Sequence, residues 1–537
     1  LNIKQLKQTA EELFSKRTQY LMLLQELAEN FYPQRADFTT IREPGDEWAD
    51  NIMDSYPLLA SRDLGDQVGM MLRPTDKEWF KIVPEDEERE NLEAKRFLEW
   101  MTKIQRRAMY HPKTKFDRAT KEADRDFATF GQSVISVQLN RLKTGLLYRC
   151  WHLRDVAWKE NEEGDVGFIV RKWDDATNLE LTRIFPGRCN EKVELKAKDK
   201  PFEKVKIYHI ICDAEMYDDD AKGKPYFSIY YDRDNDHIIE AIPVYNSEYV
   251  IPRWQTVSGS QYAYSPAAIA ALPDARMIQA MTYTLLEAGE KAVNPPLVAT
   301  TDAVRSDINV YAGGVTWADM EYDERLGQAL RPLSQDTSGI PLGIEMSQAA
   351  QMKIHQAFYL NKLTLPQRAP EMTAYEVGQR IQEYIRGALP IFQPMEAEYN
   401  GALCEKTFEV LVRANAFGSM MDMPPSLQGA DVRFKFESPL HDAIEEQKGQ
   451  KFIESQQLLA EAAALDQSAP LIMDAKVALR DVLTGINTPA EWIRDEQAVA
   501  KIERQQEQQA QIAQTLAAME QGAGIAEKLG NVETAGG

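Results

Sequence analysis

Cysteine is scarce, with four in 537 residues: Cys150, Cys189, Cys212 and Cys404. None forms a Cys-x-x-Cys pair, and their scatter excludes a disulfide framework and a zinc knuckle. Such thiols fit a reducing cytoplasm, as ordinary buried or half-buried side chains. Basic charge is also short. Lys and Arg total 62 against 84 Asp and Glu, for a net −22, which excludes a strongly basic nucleic-acid binder. No apolar run approaches the ~18 residues of a membrane span. The start, Leu-Asn-Ile-Lys-Gln, lacks both a signal-peptide pattern and an initiator Met, so a short leader is expected ahead of residue 1. There is no Gly-x-x-x-x-Gly-Lys-Ser/Thr phosphate loop, no His-Glu-x-x-His and no repeat. Gly522-Ala-Gly524-Ile-Ala-Glu527 follows a Gln-rich stretch and has Glu where a third Gly belongs, so it is tail and not a dinucleotide fingerprint.

What is present is ordinary globular composition, 44% hydrophobic and 27% charged. That allows a sizeable core over roughly three to five modules. Apolar spacing predicts helices over 3–30, 57–72, about 85–110 and 115–130, the last broken by Gly131. Trp79-Phe80 is a short extended piece. β-Branched and aromatic runs then predict strands at 133–139, 146–152, 167–173, 204–211, 226–231 and 238–244. Helices followed by strands, with no βαβ alternation, is an α+β pattern, mostly helical over the whole chain.

Ser265-Pro266 is a cap followed by a favoured first residue. The helix it starts should reach Val293, roughly 43 Å at 1.5 Å per residue, where Asn294-Pro295-Pro296 stops it. A short β-like insert follows, then a helix over about 343–360 and a Pro-bounded loop at 364–370. Thr373-Ala-Tyr-Glu376 is a capping box opening a helix to about 415, kinked near Pro390 and Pro394. Residues 438–537 predict further helices and hold 16 acidic against 8 basic side chains.

Candidate chemistry is thin. Asp213, Glu215 and Asp218–Asp220 offer carboxylates for a hard cation, but acidic runs between strands are usually solvated loops. His209 lies in an apolar run and is expected to be a satisfied core residue. His152 has no nucleophile close in sequence. The order of elements says more. Two long helices flanking a compact insert form a stalk. Leu272, Met277, Ile278, Met281, Leu285, Leu286, Ile344, Met346 and Leu360 would leave such a stalk too apolar to stand alone. Neighbouring copies would hide those faces, and a ring of stalks is a tube.

At this point the chain resembles the head-to-tail connector, or portal, proteins of short-tailed (podovirus) bacteriophages. The resemblance is carried by Pro252-Arg-Trp254, Tyr264-Ser-Pro266, Ala271-Leu-Pro-Asp274 and Ala292-Val-Asn-Pro-Pro296. Supporting pieces are Trp79-Phe80, Met372-Thr-Ala-Tyr-Glu-Val377 with Arg380, Leu389-Pro-Ile-Phe392, Ser438-Pro-Leu440 and Asn487-Thr-Pro489. They occur in the family's order and cover about the whole chain. One departure is Tyr262-Ala-Tyr264 where the family more often has Tyr-Gly-Arg, which removes a glycine turn and a cation.

The resemblance implies a portal fold assembling as a ring at one capsid vertex, usually of twelve subunits, for DNA packaging, retention and ejection. The wing would be 1–264 with 373–437, the latter a long kinked helix and wing return. The stem helices would be 265–293 and 340–361, the clip 294–339 and the tunnel loop 362–372. A crown and C-terminal barrel or tail would occupy 438–537. Implied partners are other copies of the chain (a dodecamer), double-stranded DNA in the channel, a separate large terminase packaging ATPase, a tail adaptor protein, and the major capsid and scaffolding proteins. The resemblance implies no enzyme activity, cofactor, metal or membrane. The location would be the virion, after assembly in the bacterial cytoplasm. An acidic lumen suits sliding, because each Lys or Arg paired with a phosphate adds affinity. In the tunnel loop Lys362 and Arg368 are the expected DNA-contacting residues. In the clip Tyr311, Trp317 and Tyr322 are the expected docking surface for motor and tail. Two rivals remain: a metal-dependent nucleic-acid enzyme using Asp213, Asp218 and Asp220, and a helical assembly or scaffold protein with no channel.

Overall fold

The computed structural model describes residues 3–43, 45–49, 52–75, 77–86, 91–217, 221–299, 330–332, 339–363, 394–418 and 423–436, with isolated stretches up to 509. The chain divides into two compact units, 1–79 with 105–416, and 80–104 with 417–537. In chain order the helices are α1 (Ile3–Lys16), α2 (Thr18–Phe31), α3 (Tyr56–Leu72), α4 (Leu92–Met109), α5 (Phe116–Phe130), α6 (Asn178–Ile184), α7 (Glu191–Asp199), α8 (Leu272–Val293), α9 (Gly339–Ala357), α10 (Leu360–Leu363) and α11 (Ala402–Arg413). The strands are β1 (Phe80–Pro84), β2 (Ile135–Leu139), β3 (Leu146–Cys150), β4 (Val156–Glu160), β5 (Val166–Thr177), β6 (Lys204–Asp213), β7 (Tyr226–Asp232), β8 (His237–Val244), β9 (Tyr249–Val250), β10 (Leu297–Ala299), β11 (Leu330–Pro332) and β12 (Val432–Phe436).

The first unit is built on an antiparallel meander, β4-β5-β6-β7-β8. Alternation along its strands sends Phe168, Val170, Tyr208, Ile210, Phe227 and Ile229 to one face, where Leu6, Ala10 and Leu13 of α1 cover them. Ile207 and Ile239 pack with Leu181 of α6, Phe185 just after it and Val193 of α7. His209 is buried, as its apolar run predicts. Its ring nitrogens reach the Tyr249 hydroxyl at 2.7 Å and the Ser228 hydroxyl at 2.9 Å. Burial, then the Arg171 charge, hold its pKa well below the usual range, so the ring is neutral. In the second unit β1 pairs with β12, Phe80 opposite Phe436.

Six of the strands follow the sequence expectation closely. β4, β9, β12 and the helices α6 and α7 do not appear in it. The single helix expected over 3–30 is two, separated at Arg17. The break turns Arg17 inward, where its guanidinium donates to the carbonyls of Leu153 (2.9 Å), Val156 (2.6 Å) and Arg154. These three carbonyls compensate the burial of its two terminal nitrogens.

Three non-adjacent segments meet at a second buried arginine. Arg73, just after α3, pairs with Asp124 of α5 and donates to the Asn400 side-chain oxygen at 2.9 Å. The Tyr399 hydroxyl donates to Asp124 at 2.8 Å, and the Asn400 amide donates to the Leu72 carbonyl at 2.8 Å. Burial opposes the Arg73 charge, and Asp124 beside it more than restores it. Tyr399 and Asn400 reach this knot from a π-helical turn, Glu396–Gly401. Nearby, Gly131 ends α5 at φ +78°, where a Cβ would lie 2.5 Å from the Ser265 nitrogen. That close approach lets the Ser265 hydroxyl donate to the Thr129 carbonyl at 2.6 Å and accept from the Ala268 N–H at 3.1 Å.

Asp124→Ala should leave Arg73 buried without its counter-charge and lower stability by about 3–5 kcal/mol in urea melts. Tyr399→Phe should cost only about 1 kcal/mol. Gly131→Ala, forced into a left-handed conformation against backbone, should cost about 2 kcal/mol or more in the same assay, and Ser265→Ala about 1 kcal/mol.

Candidate functional site at the base of the helix pair

The long helix expected from Ser265-Pro266 begins with a π-helical turn, Ala267–Ala271, and continues as α8. α9 returns alongside it. The two pack closely because Gly343 has no side chain: a Cβ there would sit 2.6 Å from the Leu285 methyl. The lower part of the pair is anchored within the chain. Leu272, Ala275 and Ile278 of α8 and Ala350 and Ile354 of α9 are buried. The Gln279 side-chain oxygen accepts from Met53 N–H (2.7 Å) and Asp54 N–H (2.9 Å), and its amide donates to the Asp54 carbonyl (2.8 Å). Gln351 of α9 donates to the Asp54 carboxylate at 3.1 Å. One segment is therefore clamped by both helices.

Other side chains of the pair are exposed. On α8, Tyr283, Leu286 and Val293 are exposed, Val293 at 88%. On α9, Leu342, Ile344, Met346 and Met352 are exposed, Leu342 at 60%. Of the residues expected to need neighbouring copies, Leu286, Ile344 and Met346 are exposed, and Met277, Met281 and Leu285 are half-buried. Leu272, Ile278 and Leu360 require correction: the chain buries them itself against its own base.

The motif residues before the helix pair are structural. Arg253 pairs with Glu160 and, at 2.7 Å, with Glu398 of the π-helical turn. The Trp254 N–H donates to the Gly131 carbonyl at 2.7 Å, and its ring packs 5.1 Å from that of Phe127. α11, beyond the turn, is held by Lys406, whose ammonium donates to the Ser247 carbonyl, the Ser247 hydroxyl and the Tyr249 carbonyl at 2.7, 2.7 and 2.8 Å. Burial pulls its pKa down to about 8. These attachments were beyond sequence reasoning, because each joins residues more than ninety positions apart.

Lys362 lies on α10, exposed, 5.6 Å from the ring of Tyr359, which turns the chain at φ +56°. Arg368, Tyr311, Trp317 and Tyr322 lie outside the described residues, as do Asp218 and Asp220. Of the expected clip, β10 and β11 are described and pair antiparallel, Leu297 opposite Pro332. Asp213 is half-buried, and its pKa is raised by burial and then by Glu215, Asp165 and Glu163. His152 bonds Asp37 at 2.6 Å. Among the described residues no three His, Cys, Asp or Glu side chains converge as a metal site, and no helix is long and apolar enough to cross a membrane.

The chain is 25% identical to a probable portal protein of Bordetella phage BPP-1, over 97% of this chain and 94% of that one. It is 24% identical to a portal protein of Salmonella phage epsilon15, over 59% of this chain and 56% of the relative. A solved structure, the virion of a native gene transfer agent particle, aligns at a TM-score of 0.34 and 11% identity, over 77% of this chain and 87% of that one. The family model for bacteriophage head to tail connecting protein matches residues 3–491. A match of that extent means that this chain belongs to the bacteriophage head-to-tail connecting protein family.

Proposed function

We propose that copies of this chain close into a ring, twelve in the virion, around an axial passage for duplex DNA at one capsid vertex. The single observation that carries this reading is the helix pair: sealed at its base by its own chain, apolar and exposed beyond it. Leaving such a row in water is unfavourable by about 25 cal/mol per Å² of apolar surface, and a neighbouring copy removes it. Isologous or heterologous contacts could do so, but only heterologous contacts build rings of many copies.

On this reading α8 and α9 are the stem, residues 294–339 the clip, 362–372 the tunnel loop, the meander and N-terminal helices the wing, and 438–537 the crown and tail. DNA passes without being gripped because the chain carries net −22 and phosphates are repelled by it. Lys362 and Arg368 make brief backbone contacts, and Tyr311, Trp317 and Tyr322 dock the packaging ATPase and then the tail adaptor. The chain performs no catalysis, and the motor is a separate protein.

Native mass measurement with class-averaged electron images of purified chain should show hollow rings; a monomer or dimer under all native conditions overturns the proposal. Leu286→Asp with Ile344→Asp should keep the folded circular-dichroism signal but shift the particle to single subunits. Lys362→Ala with Arg368→Ala should leave rings intact and alter DNA retention in filled heads, measured as nuclease-protected DNA per particle.

A further inference from the structure

The five-stranded meander has chemically opposite ends. From Phe168 to Thr177, β5 pairs along β6 from Cys212 to Lys204, a span of about 30 Å at 3.3 Å per residue. One end carries the turn 160–165 and the end of β6. Residues 160–165 and 213–217 hold six carboxylates and no Lys or Arg. Glu163, Asp165 and Glu215 are close enough to raise the pKa of Asp213, after burial itself. The cations of the described residues at this end are Arg253, Lys224 and the exposed Lys222 on the connection to β7. Arg253 is taken by Glu160 and Glu398, and Lys224 donates to the Pro243 carbonyl.

The other end carries the α6–α7 hairpin, inserted between β5 and β6. Residues 178–206 hold eight Lys and Arg against five Asp and Glu, an excess opposite in sign to the whole chain. Arg183, Lys192, Lys198 and Lys206 are exposed and form no ion pair among the described residues. Glu191, Glu194 and Asp199 share the hairpin with them. The aspartates that meet this end from other strands are engaged within the chain: Asp174 by Arg233, Asp175 by Lys204, Asp236 by Lys7, and Asp234 by the Lys206 N–H. The hairpin also exposes Ile184 at 47%, Leu195 at 63% and Phe202 at 78%. Bulky apolar groups ringed by lysines suit an acidic protein surface better than a nucleic acid.

We propose that the α6–α7 hairpin of one copy docks against the acidic end of the meander in the next copy. The occupant is a second copy because the complementary surface is on the same chain. Two different patches in contact make a head-to-tail interface, the kind that closes rings. The contact rests on the ring reading above and adds where neighbouring copies meet outside the helix pair. Opposed charge fixes partner and register more than it adds affinity. The apolar side chains supply the burial.

The test is a charge exchange. One variant carries Arg183→Glu, Lys192→Glu and Lys198→Glu; the other carries Glu162→Lys, Glu163→Lys and Asp165→Lys. In about 0.15 M salt, each alone should lose rings by about tenfold or more in native mass spectra while keeping its thermal transition. An equimolar mixture should regain rings with alternating composition, because every interface then pairs opposite charges. Rings formed as well by either variant alone, or no recovery on mixing, overturn the proposal while wild-type rings leave the portal reading intact. Loss of affinity for a short duplex DNA with rings unchanged would make the hairpin a nucleic-acid contact and also overturn it. Absence of rings from the wild-type chain would instead defeat the ring reading itself.

Discussion

The buried pairing of Arg73 with Asp124 is the constraint around which the first unit is arranged. A guanidinium taken out of water must have its donors satisfied and its charge opposed. Here the end of α3 supplies the cation, α5 the anion, and a turn more than 270 residues later supplies Tyr399 and Asn400. No apolar contact would specify that turn so narrowly, since hydrophobic burial is non-directional. The ion pair therefore sets where the C-terminal part of the unit returns, and with it the position of α11 and of Glu398 against Arg253.

From that junction outward the architecture becomes cumulative. Gly131 brings the end of α5 against Ser265, Ser265 caps the start of the helix pair, and Trp254 hydrogen-bonds back to Gly131. Trp254 and Ser265, two of the motif residues that carry the resemblance, are thus fastenings for the start of the helix pair.

What could be read beforehand divides along physical lines. Strands such as β6 and β7 and helices such as α3 and α5 were legible because period and local caps are properties of neighbouring residues. The start at Ser265-Pro266 was legible for the same reason. The break at Arg17 was not, because its cause is a set of carbonyls 136 to 139 residues away. The short strand β12 was hidden because its partner β1 lies some 350 residues earlier. Of the expected site residues, Lys362 stands exposed on α10. The two long helices were foreseen, but the division of their apolar residues between self-burial and exposure was not: Leu272 and Ile278 look no different in sequence from Leu286 and Ile344.

The two π-helical turns, Ala267–Ala271 and Glu396–Gly401, have a geometric corollary. Each accommodates one residue more than an ordinary turn, and one residue is about 100° of rotation around a helix axis. Everything downstream of Ala271 on α8 is aimed by that extra residue. A single-codon deletion there would swing the azimuth of the whole rod, turning Leu286 and Val293 away from where they now point while leaving composition and hydropathy almost unchanged. Chain length at these two places is consequently under tighter constraint than side-chain identity, and a natural relative lacking either residue would have to re-aim its rod by some other means.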